Sequence, residues 1–164
     1  MKKILRIIVS ILLLLSTILL TGCEKKKELI INEDLKNVID EVRDSFLVPS
    51  PCNVDDDILS ELLKISPESL VGYYGFISLD DGRIDKLIYI EAQEGYTKKT
   101  IKKLEDYISE CSIAYKDTPF SELIENSVVL DYNNYVFLIM TARKDNDIKA
   151  DINNISNTLL NELR

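Results

Sequence analysis

Residues 86–115 read KLIYIEAQEGYTKKTIKKLEDYISECSIAY, and the spacing of the apolar residues changes partway along. From Lys86 to Ala92 β-branched and aromatic residues dominate, with Ile88, Ile90 and Ala92 on one face, the alternation of a strand. Over residues 97–115 the apolar positions become Ile101, Leu104, Ile108 and Cys111, one face of a helix, while Lys98, Lys99, Lys102 and Lys103 point outward. A strand that runs into an amphipathic helix predicts a mixed α and β domain.

The flanking sequence extends that pattern in both directions. Upstream, residues 71–79 read as a second strand and Asp80-Asp81-Gly82 as the turn that joins the two. Further back, Leu35, Val38, Ile39, Val42 and Phe46 form the stripe of a helix that Asn32 can cap, with Glu33 and Asp34 in its first turn and Pro49 and Pro51 at its end. A shorter helix is expected after Asn53, with Ile58, Leu59, Leu62 and Leu63 inward, stopped by Ser66-Pro67. Downstream lie a loop through Thr118-Pro119, a helical turn at 121–124, and a hairpin of strands 126–131 and 135–141 around Tyr132-Asn133-Asn134. The asparagines tolerate the left-handed backbone that a tight hairpin needs. The second hairpin strand is apolar on both faces, which predicts a central position. Residues 145–163 make a final helix carrying Ile148, Ile152, Ile155, Leu159 and Leu160. The order α-α-β-β-α-β-β-α predicts an α+β domain with a small, largely antiparallel sheet of about four strands.

The N-terminal segment speaks to location. Lys2, Lys3 and Arg6 precede an apolar run at 7–20 broken only by Ser10, Ser16 and Thr17, and the run closes on Leu20-Thr21-Gly22-Cys23. This arrangement resembles the lipobox signal of bacterial lipoproteins, which implies that residues 1–22 are removed and that Cys23 carries a diacylglyceryl group. Two acyl chains hold stably where one holds reversibly, at ~0.8 kcal/mol per buried methylene. An uncleaved transmembrane helix and an ordinary secretory signal are the alternatives; the apolar run is short for a span, and no Ala-x-Ala site is present. Residues 23–31 then form the lipidated cysteine and a short tether, and 32–164 one domain. Fully extended, residues 24–28 reach only ~17 Å. Lys25, Lys26 and Lys27 either draw anionic headgroups, at about 1 kcal/mol each, or serve as a solvated spacer.

Charge and composition exclude several functions. The chain carries a formal −8, and removal of a signal holding three cations and no anion leaves −11. That argues against nucleic acid as a partner and leaves the tether, rather than the domain surface, to hold the membrane. No histidine is present, which removes histidine-based triads and HExxH zinc sites. No Ser-x-x-Lys occurs, and the five glycines form no phosphate-cradling loop. Asp55-Asp56-Asp57 suggests calcium, but a helix N-terminus accounts for it without a ligand; Asp145, Asp147 and Asp151 superficially resemble a calcium loop, but lack its glycine and terminal glutamate, and Ile148 starts the apolar stripe. No metal and no cofactor is expected. Cys111 lies on an apolar helix face and suits a buried free thiol; a Cys52–Cys111 disulfide is the alternative in an oxidising compartment. Tyr73, Tyr74, Tyr89 and Tyr135, with Tyr132 nearby, cluster around the predicted strands. Exposed, they would form a recognition surface; the alternative packs them beneath the N-terminal helices with their hydroxyls at the rim.

Residues 70–155 resemble an uncharacterised family of bacterial surface lipoproteins, domain of unknown function four-three-five-eight. The resemblance rests on Tyr74-Gly75, the strand at 87–92, the helix that ends in the 115–120 stretch, and the hairpin containing residues 126–130 and Tyr135-Val136. In that family the elements follow in the same order behind a lipobox, usually with glycine in the hairpin turn and an acidic residue opening the strand, where this chain has Asn133-Asn134 and Lys86. The resemblance implies architecture and address and no catalytic residue. The expectation is a lipid-anchored, extracytoplasmic cell-membrane lipoprotein that is not an enzyme and binds a protein or peptide near the membrane. A small-ligand binder or sensor is the alternative, and a carboxylate-based hydrolase ranks third.

Overall fold

A computed structural model describes residues 29–164; the signal segment, Cys23 and the charged tether at 24–28 lie outside the described residues. Helix α1 (Glu33–Ser45) starts where Asn32 Oδ1 accepts from the amides of Asp34 and Leu35, both at 3.1 Å. Its acidic first turn and Arg43 in the last turn suit the helix dipole. Leu35, Val38 and Ile39 are buried, with Val42 and Phe46 packed at the margin.

Strands β1 (Pro51–Asn53), β2 (Leu70–Ser78), β3 (Lys86–Ala92), β4 (Val128–Tyr132) and β5 (Tyr135–Met140) form one sheet in the order β1-β2-β3-β5-β4. Every neighbouring pair is antiparallel. The expected fold class is therefore observed, with one strand added. That strand, β1, is three residues long and opens on proline, which an edge position accommodates because one side of the strand needs no ladder donor. At the hairpin, Asn133 takes the left-handed conformation with φ 57°. Strand β5 lies between β3 and β4 and is buried from Val136 to Met140, as a strand apolar on both faces requires.

Helices cover both faces of the sheet. Helix α2 (Thr97–Ala114) and the segment at 58–65 pack on the face bearing Ile88, Ile90, Val136 and Leu138. Helices α1 and α4 (Ile148–Asn161) pack on the face bearing Phe76, Leu87, Tyr89 and Phe137. The short helix α3 (Ser121–Asn126) leads into β4. Two details differ from the sequence reading. The second helix is a π-helical turn (Ile58–Leu62) in which the Leu63 amide donates to Ile58 O at 3.2 Å. The wide turn keeps Leu59 and Leu63 buried and leaves Leu62 exposed instead of inward. In α2 the buried line runs through Thr100, Leu104, Tyr107 and Cys111, with Ile101 and Ile108 only half-buried beside it.

Packing also starts earlier than residue 32. Leu29 packs against the α2-side core, and the Ile30 amide donates to Val71 O at 3.3 Å. A register shift between Leu70 and Gly72 opens the strand there. A Cβ on Gly72 would stand 1.7 Å from Ile30 O, so glycine is what lets this strap lie on the sheet.

Helix α4 is capped by Asp147, whose Oδ1 accepts from the Ala150 amide at 2.9 Å. Inside it Asp151 accepts from the Arg143 amide (2.8 Å), Arg143 Nη2 (2.5 Å) and Asn146 Nδ2 (2.7 Å). Burial pushes this carboxyl up, but the hydrogen bonds from Arg143 and Asn146 and the guanidinium charge outweigh it and hold it below the usual aspartate value. A depressed carboxyl contributes stability above its unfolded value of about 4, and loses it as pH falls through the folded value. Urea unfolding should therefore show stability falling below about pH 4. Asp151→Asn should lose that part of the slope and cost about 2 kcal/mol at neutral pH. An unchanged acid limb in the variant would assign the slope to other groups.

Candidate functional site

The register of β2 on β3 pairs Leu70 with Ala92, so the chain just before β2 meets the chain just after β3. The junction is fastened by the Gln93 amide donating to Ser69 O (2.9 Å) and by Gln93 Nε2 donating to Glu68 O (2.8 Å). Beyond it, residues 64–69 and the first turns of α2 form the walls of a groove of about 500 Å³. Lys64, Lys99 and Lys103 line it together with Glu68, Ser66, Ser69, Thr100, Ile65 and Tyr96. Three ammonium groups against one carboxylate make a positive concavity in a chain whose net charge is −8.

Each lysine arrives for a separate local reason. Lys99 and Lys103 are four apart on α2 and share a face. Lys102, one position round, is instead paired with Asp106 at 2.9 Å. Lys64 follows the π-helical turn in left-handed conformation, φ 57°, and its ammonium donates to Glu61 O, satisfying a carbonyl at the turn's end. None of the three groove lysines forms an ion pair with a described residue. Lys99 Nζ lies 5.9 Å from the ring centroid of Tyr96, which is 41% exposed.

The start of α2 is unusual in its own right. No side chain caps it, its first turn has no acidic residue, and Lys98 and Lys99 occupy positions where the helix dipole repels cations, at about 0.3–1 kcal/mol each. Thr100, the other first-turn groove residue, is only 3% exposed. Its hydroxyl makes no hydrogen bond to a described residue. The Thr100 amide is already bonded to Tyr96 O, so the donors that the groove offers are this hydroxyl and the lysine ammonium groups.

The tyrosines named from the sequence do not form one exposed surface. Tyr73 and Tyr74 are strand neighbours and point to opposite faces. Tyr73 is buried on the α2 side and donates to Asp56 Oδ1 at 2.7 Å; burial and that carboxylate push its hydroxyl up. Tyr74 is half-buried under α1 and donates to Asp40 Oδ1 at 2.7 Å. Tyr89, on the central strand β3, is 0% exposed and accepts from the Asn32 amide at 2.7 Å; burial pushes its hydroxyl up to about 12. Tyr135 packs beside it, ring centroids 6.3 Å apart, and accepts from Asn32 Nδ2 at 3.4 Å. Three of the four therefore sit beneath α1, because a sheet covered on both faces leaves its central strands no exposed side.

The remaining candidates are also placed. Cys52 and Cys111 are both free thiols, Cys111 buried in the α2-side core. Asp55 Oδ1 accepts locally from the Ile58 amide at 2.9 Å, and Asp56 is engaged by the Tyr73 hydroxyl of β2. Asp147 caps α4 and Asp151 is held by Arg143. The groove residues Lys64, Ser66, Ser69, Tyr96 and Thr100 were not singled out from sequence; the one available signal was the outward Lys99–Lys103 pair. No protein-family model, no curated protein and no solved structure matches the chain, so the resemblance to the lipoprotein family rests on the quoted residues alone.

Proposed function

We propose that the chain is a lipid-anchored lipoprotein of the extracytoplasmic face of the cell membrane, and that its domain is a non-enzymatic binding module whose recognition site is the groove between residues 64–69 and the start of α2. The observation that supports this most directly is the concavity itself. At about 500 Å³ it has the size of a small-molecule site, and it brings charged, hydroxyl and aromatic groups to one place. The small-ligand reading thus gains over peptide binding through the tyrosines, since Tyr73 and Tyr89 are buried. Against catalysis stand the two buried carboxylates among the described residues: Asp85 and Asp151 are each occupied by an arginine. Among the described residues no helix is long and apolar enough to cross a membrane, and the proposed attachment is the lipid on Cys23.

One cross-linking experiment in intact cells tests the reading. A photoreactive phenylalanine at position 96 should label a surface-layer molecule well above the level from position 153, which is exposed on α4 at the opposite face. The Cys23→Ser chain should leave the membrane fraction or stay unprocessed, and lose the label. Equal labelling from both positions, or a processed Cys23→Ser chain that stays on the membrane, would overturn it.

A further inference from the structure

We infer that the groove receives a phosphoryl group carried on an organic moiety, either a soluble phosphate ester or a phospholipid headgroup. The inference rests on the groove being the recognition site and names what enters it. Lys64, Lys99 and Lys103 converge from two chain segments with no carboxylate paired to any of them among the described residues. Lys64 Nζ donates to Glu61 O and Lys99 Nζ stands near the Tyr96 ring, contacts that leave both charges uncompensated, and Lys98 and Lys99 stand in the first turn of a helix that carries no capping side chain. The helix dipole disfavours cations at that end and favours an anion there. Thr100 supplies the second, independent sign. It is nine-tenths buried, lines the groove, and its hydroxyl finds no partner among the described residues. Since no buried side-chain donor among the described residues lacks a partner, this hydroxyl opens to the groove, where an acceptor can reach it.

The chemistry of the acceptor follows from the donor set. Lysine ammonium groups acting as point charges, together with serine and threonine hydroxyls, are donors that suit the several oxygens of a phosphate. Glu68 faces the same space and disfavours a ligand whose charge is spread along its whole length. The volume of about 500 Å³ exceeds what one phosphate fills, and Tyr96 and Ile65 offer apolar wall to the remainder. A compact anionic head with an uncharged body fits these surroundings.

The test uses the full lipidated protein in phosphatidylcholine nanodiscs at low salt, titrated calorimetrically with glycerol 3-phosphate. Saturable binding is expected, weakened at least tenfold by Lys99→Ser with Lys103→Ser, and several-fold by Thr100→Val, which keeps the side-chain shape. Lys64→Gly should weaken binding while remaining at least as resistant to heat as the parent, because glycine accepts the left-handed backbone. Thermal unfolding of each variant separates lost binding from lost fold. Rebuilding the discs with phosphatidylglycerol distinguishes the sources: suppressed titration identifies the headgroup, and an unchanged titration the soluble ester. No saturable binding of the ester together with no preference for phosphatidylglycerol discs would overturn the inference. So would affinities unchanged in the groove variants, or weakened equally by Lys144→Ser with Lys149→Ser outside the groove. Labelling from position 96 that persists in either case would retain the groove as a binding site and remove only its phosphate chemistry.

Discussion

Asp85→Ala should destabilise the domain by about 3–5 kcal/mol, the range for breaking a buried ion pair from one side. Asp85 is fully buried at the start of β3. Arg83 grips it with two bonds, Nε to Oδ2 at 2.6 Å and Nη2 to Oδ1 at 2.7 Å, and the Thr141 hydroxyl donates to Oδ1 at 2.7 Å. Arg83 Nη2 also donates to Ala142 O at 3.1 Å, so the cluster joins the β2–β3 connection to the end of β5. Alanine removes the acceptor for three donors at once and leaves the Thr141 hydroxyl in a buried site. The companion change Arg83→Ala strands the carboxylate instead, and the double variant should lose much less than the sum, because neither charge then lies unpaired. Equilibrium urea unfolding of the three variants measures this. Additive losses would mean that the pair is not coupled.

Gly75→Ala should cost about 3 kcal/mol, the upper end for overpacking a core, and lower Tm by roughly 10 °C. Gly75 pairs with Ile88 in the middle of the sheet. A Cβ there would stand 2.4 Å from Leu87 O and 2.6 Å from the Ile88 Cα, both backbone atoms of a central strand. No rotamer change can relieve that contact; β2 and β3 must move apart. Because Gly75 O also accepts from the Val54 amide at 2.9 Å, the shift reaches the segment just after β1. A thermal midpoint within a degree or two of the parent would show that the two strands slide more easily than their packing indicates.

The groove and the rigid sheet are linked by the same register. Strands β2 and β3 hold Leu70 opposite Ala92, and from that point residues 64–69 and 93–103 diverge into the two walls. Gly75→Ala should for this reason disturb the groove from a distance, whereas Lys64→Gly acts inside it.

Local periodicity carried the fold. The alternation at residues 86–92, the helical spacing of Leu35 to Phe46, the Asn32 cap and the Asn133 turn each depend on near neighbours, and each is present. The strand 51–53 has no such pattern, being three residues held in place by β2. The 58–62 segment has helical spacing, yet Leu59 and Leu63 bury best in a wider turn, which puts Leu62 outside. The strand alternation also separates Tyr73 from Tyr74, but their burial depends on helices that reach them only in three dimensions.

What the chain determined by itself was therefore the α+β class, the order of its longer elements and the two-sided burial of β5, since all three follow from side-chain spacing along the backbone. The tertiary structure decided which polar groups meet. Lys64 lies 35 residues before Lys99, and only the antiparallel register of β2 and β3 brings their segments to one groove. It also decided that Thr100 and Asp85 lie buried, one with an open hydroxyl and one clasped by Arg83. Contacts between residues far apart in sequence leave no periodic trace, which is why the sheet was legible along the chain and the groove was not.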